Sequence, residues 1–151
     1  DWISFEEASR LAEKNPKKIL IDIYTDWCGW CKQMDITTYT DACIINYINK
    51  NFYPVKLNAE MKDTVRFKGK TFIYQADYGR NGTHELALSL LSGNMAYPAT
   101  VLLDESFAML QPVSGYMQTD ALTKVLKFYG ENHYKKMKWE EFEKNLELYK
   151  N

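Results

Sequence analysis

Cys28 and Cys31 stand three positions apart in the stretch TDWCGWCK, with Trp27 and Trp30 beside them and the apolar run ILIDIYT directly before. Thiols at i and i+3 lie on one face of a helix's first turn, within the roughly 4.4 to 6.8 Å Cα separation that a disulfide needs. They can therefore open and close a bond with little backbone movement. A cysteine at a helix start also faces unpaired N–H groups and the positive end of the helix dipole, which favour its thiolate at neutral pH. On this reading Cys28 attacks a substrate disulfide, and Cys31, one turn deeper and less exposed, resolves the mixed disulfide. Gly29 leaves the approach open, while Trp27 and Trp30 offer apolar contact area to an extended polypeptide.

The same spacing also serves metals. Structural zinc wants four ligands, and the remaining candidates, Cys43, His84 and His133, are widely scattered. Two thiolates can hold Cu(I), so a copper-handling or partner-binding module stands as the alternative to thiol exchange. Cys43, beside Ile44 and Ile45, is expected to be a buried inert thiol. His84 and His133 are expected to be surface or capping residues, and no metal site is assigned.

The whole chain bounds these readings. Its 151 residues, 46% hydrophobic and 15% aromatic, can bury one sizeable core, so a single domain over 1–151 is expected. A net charge of -1, from 19 basic and 20 acidic residues without a long run of either, offers no footprint for nucleic acid. The apolar runs fall far short of the roughly 20 residues of a spanning helix, so no membrane insertion is expected. One C-x-x-C plus a third cysteine is a redox or metal pattern, not a disulfide scaffold.

The elements that must position the dithiol follow from periodicity and punctuation. A helix from about Ser4 to Asn15 has capping-box spacing at Ser4 and Glu7, an apolar face of Phe5, Ala8, Leu11 and Ala12, and Pro16 as its stop. KKILIDIYT is a continuous apolar run, the mark of a central strand covered on both faces. The C-G-W-C motif opens a helix through about Met34, and a second helix from about Asp41 turns Ile44, Ile45 and Ile48 inward. NFYPVKLN is the next strand, parallel to the first through a right-handed crossover. Residues 59–96 are irregular, with a short hairpin around Gly69 and a short helix HELALSLL that Thr83 would cap. PATVLLDESFAMLQPVSG reads as an antiparallel hairpin, followed by a helix from Thr119 to Gly130. A terminal helix docks through Trp139, Phe142, Leu146 and Tyr149.

These stretches, in this order over about residues 19 to 130, resemble the thioredoxin family, and more closely its extracytoplasmic bacterial branch. ILIDIYTDWCGWCK is similar to that family's strand and W-C-x-x-C, FYPVKLNAE to its next strand, YPATVLLDE to its cis-proline loop, and VSGY to the glycine near the end of its last strand. The resemblance implies an α/β thioredoxin-like fold, a central mixed sheet flanked by helices. It leaves an insertion at about 59–96 before the cis-proline and an extra C-terminal helical segment at about 131–151.

The resemblance also implies roles. Cys28 is the attacking cysteine and Cys31 the resolving one. Asp22 is the buried carboxylate that takes the resolving thiol's proton through water, in keeping with the raised pKa expected of a carboxylate inside an apolar strand. Lys56 is the partner of that carboxylate. Pro98 is the cis-proline, and Tyr97 before it pairs its backbone with substrate. Two departures set this chain apart: Gly29-Trp30 between the cysteines, and a bulky Tyr97 before the proline.

The expected function is thiol-disulfide exchange with protein thiols and disulfides through Cys28 and Cys31, without a bound cofactor. A membrane thiol-disulfide electron donor is a further expected partner. The chain is expected to be a monomer in the periplasm or another extracytoplasmic compartment, with the cytoplasm as the alternative.

Overall fold

The structure, a computed structural model, describes residues 1–146. Helix α1 (Phe5–Lys14) begins where the Glu7 amide donates to Ser4 Oγ at 3.1 Å, the expected capping-box position. It buries Phe5, Ala8 and Ala12. Leu11 was expected on that face but is exposed, because it sits well off the centre of the stripe those three residues define. Strand β1 (Lys18–Tyr24) is buried along all but its last residue. Helix α2 (Gly29–Thr37) runs one turn beyond the expected end near Met34.

Helix α3 (Ala42–Asn51) starts at Asp41, whose Oδ1 accepts from the Ile44 amide at 3.0 Å. Ile44 and Ile48 are buried, but Ile45 and Cys43 are exposed, against expectation. Successive helical residues turn by about 100°, so a stripe centred on Ile44 and Ile48 carries both neighbours out of the core. Strand β2 (Phe52–Asn58) follows.

The insertion has its own order. Strands β3 (Val65–Phe67) and β4 (Lys70–Phe72) form the expected hairpin, with Lys68 and Gly69 both at positive φ, as a tight two-residue turn requires. Short strands β5 (Tyr74–Gln75) and β6 (Thr83–His84) pair antiparallel and lead into α4 (Glu85–Leu91). His84, not Thr83, caps α4. Its Nδ1 accepts from the Leu86 amide at 3.1 Å, and its Nε2 lies 2.7 Å from the Asp63 carbonyl, so the ring is fully buried between two partners. That arrangement needs the tautomer with the proton on Nε2.

Strand β7 (Ala99–Leu103) pairs antiparallel with β8 (Val113–Ser114), a short version of the expected hairpin. Helix α5 (Thr119–Gly130) has Gln118 rather than Thr119 as N-cap, and Gly130 is its last residue rather than a stop beyond it. A 3₁₀ turn (His133–Lys135) and α6 (Trp139–Lys144) complete the described chain. His133 Nε2 faces the Glu131 carboxylate at 3.4 Å, away from the cysteine motif in sequence and surroundings. Phe142 is fully buried with its ring tilted against that of Phe128 at 5.1 Å between centroids, while Tyr149 of the expected stripe lies outside the described residues.

The sheet order is β2-β1-β7-β8, with β1 parallel to β2 and antiparallel to β7. This is the mixed sheet the sequence led us to expect, with β1 inside it. Alternation along β1 sends Ile19, Ile21 and Ile23 to a core shared with α1 and α4, and Leu20 to a core shared with Met34, α3 and α5. No helix among the described residues is long and apolar enough to cross a membrane.

Candidate functional site

The cysteine motif sits where β1 hands over to α2. Cys28 is the N-cap of that helix, and its Sγ accepts from the Cys31 amide at 3.1 Å. The two cysteines form a disulfide with Cα atoms 5.3 Å apart. Both sulfur-bearing residues are nearly covered, Cys28 at 5% and Cys31 at 3%, so the expected contrast in depth is slight. The surface here belongs to the indoles: Trp27 is 59% and Trp30 63% exposed. A Cβ built at Gly29 meets nothing within 4 Å, so no internal contact requires glycine at that point.

A polar row lies on the α2-facing side of the sheet. Asp22 points to the same face as Leu20, and its register partners Lys56 on β2 and Thr100 on β7 flank it. Lys56 Nζ donates to Asp22 Oδ2 at 2.5 Å and to Asp35 Oδ1 at 2.5 Å. Asp35 stands four residues beyond Cys31 on α2, hence on the same helix face. The Lys56 ammonium also lies 4.8 to 5.8 Å from the ring centres of Tyr24, Trp2 and Tyr39.

Burial governs the protonation of this row. It raises the Asp22 carboxyl above the usual range; Lys56 pulls it back in part, and the Asp35 charge adds to the rise. Burial works against the Lys56 charge, yet Asp22 and Asp35 together hold its pKa above the ordinary lysine value. Burial likewise pushes the Tyr39 phenol well up. Asp22 Oδ1 is buried and makes no hydrogen bond among the described residues.

The Tyr97–Pro98 peptide bond is cis, Pro98 is buried, and β7 begins at the next residue. The Gly115 amide donates to the Pro98 carbonyl at 2.7 Å. Tyr97 stands between the two tryptophans. Its ring meets Trp27 edge-on at 6.0 Å, and with Trp30, Gly115 and Tyr116 it lines an apolar depression of about 300 Å³. Trp30 and Tyr116 rings are 5.3 Å apart. On the Trp27 side, the indole N–H is shared by both carboxylate oxygens of Glu60, at 3.1 and 3.0 Å. Beyond it a cavity of about 600 Å³ opens against the Tyr78–Thr83 loop of the insertion.

The dithiol, Trp27, Trp30, Tyr97 and Pro98 therefore gather where α2 and β7 begin, and the Asp22–Lys56 pair on the sheet is joined to the dithiol's helix through Asp35, whereas Cys43, His84 and His133 lie elsewhere. Sequence reasoning missed Asp35, Glu60 and Tyr116. Asp35 alone had a legible signal, its i+4 spacing from Cys31. Among the described residues, no group of three or more His, Cys, Asp or Glu side chains is arranged to hold a metal ion.

A profile of the family Thioredox_DsbH, described as a protein of unknown function, DUF255, matches residues 1–146. The chain is 29% identical over 99 residues, 66% of its length, to a thiol:disulfide interchange protein DsbD of Ralstonia nicotianae, of which it covers 13%. Half or less of the length of each curated relative is matched. A solved thioredoxin-fold protein from Helicobacter pylori superposes with a TM-score of 0.67 at 20% identity, covering 89% of this chain and 83% of that one. A putative disulphide-isomerase from Bacteroides thetaiotaomicron does so with a TM-score of 0.57 at 25% identity, covering 85% and 88%. The fold is thioredoxin-like.

Proposed function

The chain belongs to the Thioredox_DsbH (DUF255) family, and on that premise we propose that it is a thiol-disulfide oxidoreductase acting on protein thiols and disulfides. One observation carries the reading: a Cys28–Cys31 disulfide at the N-terminus of α2, with exposed Trp27 and Trp30 on either side of Tyr97 and its cis-proline. In the reduced protein the Cys28 thiolate attacks one sulfur of a substrate disulfide, forming a mixed disulfide and releasing a substrate thiolate. Cys31 then attacks Cys28 Sγ, which reforms the internal disulfide and releases the second substrate thiol. Asp22, with its raised pKa and a free buried oxygen, receives the Cys31 proton. Lys56 holds that carboxylate in place.

The Tyr97 backbone offers an edge for an extended substrate segment, and the two indoles supply its contact area. The couple needs no bound cofactor, and the chain works as a monomer and a single domain over residues 1–151. The reading extends to an extracytoplasmic bacterial setting, with a membrane thiol-disulfide protein supplying electrons; the relatives' name, thiol:disulfide interchange protein, supports the exchange chemistry.

The test is reduction of insulin by dithiothreitol, followed as turbidity. Wild type should accelerate it, and Cys28→Ser should return it to the uncatalysed rate. Equal rates for the two proteins would sink the reading. Cys31→Ser should instead accumulate a mixed disulfide with substrate, visible as a mass adduct on Cys28.

A further inference from the structure

The cavity beside Trp27 contains two formal charges that protein disulfide exchange does not call upon. Glu60 and Arg80 both line it, together with Met95, Tyr78 and Tyr97 and with Trp27, the residue before Cys28. Glu60 is held in place: its amide donates to Asn58 Oδ1 at 2.9 Å and its carboxylate accepts the Trp27 indole. A neutral N–H donor leaves the negative charge intact, and a carboxylate has about four acceptor positions. Burial raises the Tyr97 phenol pKa, and the Glu60 charge adds to the rise. Arg80 makes no ion pair among the described residues. Its loop is a constructed wall, with Tyr74 Oη donating to the Asn81 carbonyl at 2.5 Å and Thr83 Oγ1 to the Tyr78 carbonyl at 3.1 Å.

We propose that this cavity binds a low-molecular-mass disulfide carrying both ammonium and carboxylate groups, an amino-acid or short-peptide disulfide, and presents it to Cys28. The proposal rests on the thiol-exchange reading and names a further substrate class for the same couple. About 600 Å³ falls within the roughly 300 to 1,000 Å³ of small-molecule sites. The ligand's ammonium pairs with Glu60, its carboxylate with the Arg80 fork, and its methylenes lie against Met95 and the rings. The Cys28 thiolate then attacks the ligand's disulfide and one small thiol leaves. Cys31 attacks Cys28 Sγ and the second small thiol leaves, so one small disulfide is reduced to two thiols as the protein dithiol is oxidised.

Three probes separate the charges: cystine carries both, cystamine only ammonium, dithiodiglycolate only carboxylate. Reduced protein is mixed with each, and every rate is divided by that of dithiothreitol with the same disulfide, which removes intrinsic reactivity. Wild type should favour cystine over both others by about tenfold, the value of one charge-assisted contact. Arg80→Gln should bring cystine down to the cystamine level, and Glu60→Gln to the dithiodiglycolate level. Equal normalised rates for the three disulfides overturn the proposal, as does a cystine preference that survives both substitutions. Insulin reduction without cystine preference rejects this inference alone, whereas no reaction with insulin or any probe rejects the thiol-exchange reading beneath it.

Discussion

Lys56 Nζ lies 2.5 Å from Asp22 Oδ2, tying an ammonium on β2 to a carboxylate on β1 whose side chain is only 3% exposed. Their residues are direct register partners in parallel strands, so the sheet itself sets the contact. Asp35 reaches the same ammonium from α2 with a side chain that is 41% exposed. One cation therefore joins a buried acid on the sheet to an open one on the helix that carries the cysteines.

The raised Asp22 carboxyl has a consequence for stability. Its folded pKa exceeds the unfolded value of about 3.9, so in the window between them the folded protein binds more protons. Stability then falls as pH rises from about 4 through the folded value. Asp22→Asn cannot ionise and escapes that loss, while Lys56 keeps Asp35. Urea unfolding should show Asp22→Asn more stable than wild type at pH 7, with the difference gone below about pH 4. A difference independent of pH would contradict this account.

Asp35 and Lys56 should move the chemistry in opposite directions along the pH axis. Removing the Asp35 charge takes away a cause of the raised Asp22 pKa and commits Lys56 to Asp22 alone, which lowers that pKa. Removing Lys56 takes away the main lowering influence and raises it. The pH profile of mixed-disulfide resolution should therefore shift to lower pH in Asp35→Asn and to higher pH in Lys56→Met. Shifts of the same sign in both variants would show that the triad does not set the proton transfer. Asp22→Asn should slow resolution by about a hundredfold, the lower end for a lost general base.

Two glycines should respond with opposite signs. Gly82 has φ +78°, and a Cβ there runs into the Tyr74 ring that buttresses the insertion loop. Gly82→Ala should cost about 2–3 kcal/mol, from backbone strain plus overpacking. Gly29 opens α2 with empty space around it, so Gly29→Ala should gain up to about 0.5–1 kcal/mol while obstructing the approach to Cys28. Chemical denaturation of the two variants measures both effects, and destabilisation in each would refute the contrast.

The parts legible in the sequence are those set by local rules. The apolar run 18–24 could only be an interior strand, and the run 52–58 its neighbour, because each side-chain pattern demands burial. Ser4 and Asp41 cap helices where their side-chain oxygens can reach an amide three residues on. Where a residue lay at the margin of a helical stripe, as with Leu11, Ile45 and Cys43, the apolar spacing and neighbours suggested burial and the geometry denied it. His84 capped α4 in place of Thr83 because the Asp63 carbonyl, distant in sequence, fixed its ring.

By itself the sequence determined the dithiol, its place at a helix start after a buried strand, and an acid in that strand, since spacing and burial pattern are properties of neighbouring residues. Only the tertiary structure brought Asp35 onto Lys56, Glu60 onto the Trp27 indole and Tyr97 between the two tryptophans. Those contacts join segments as far apart as 27 and 97. They depend on strand register and on how an insertion folds back, and no local periodicity encodes either.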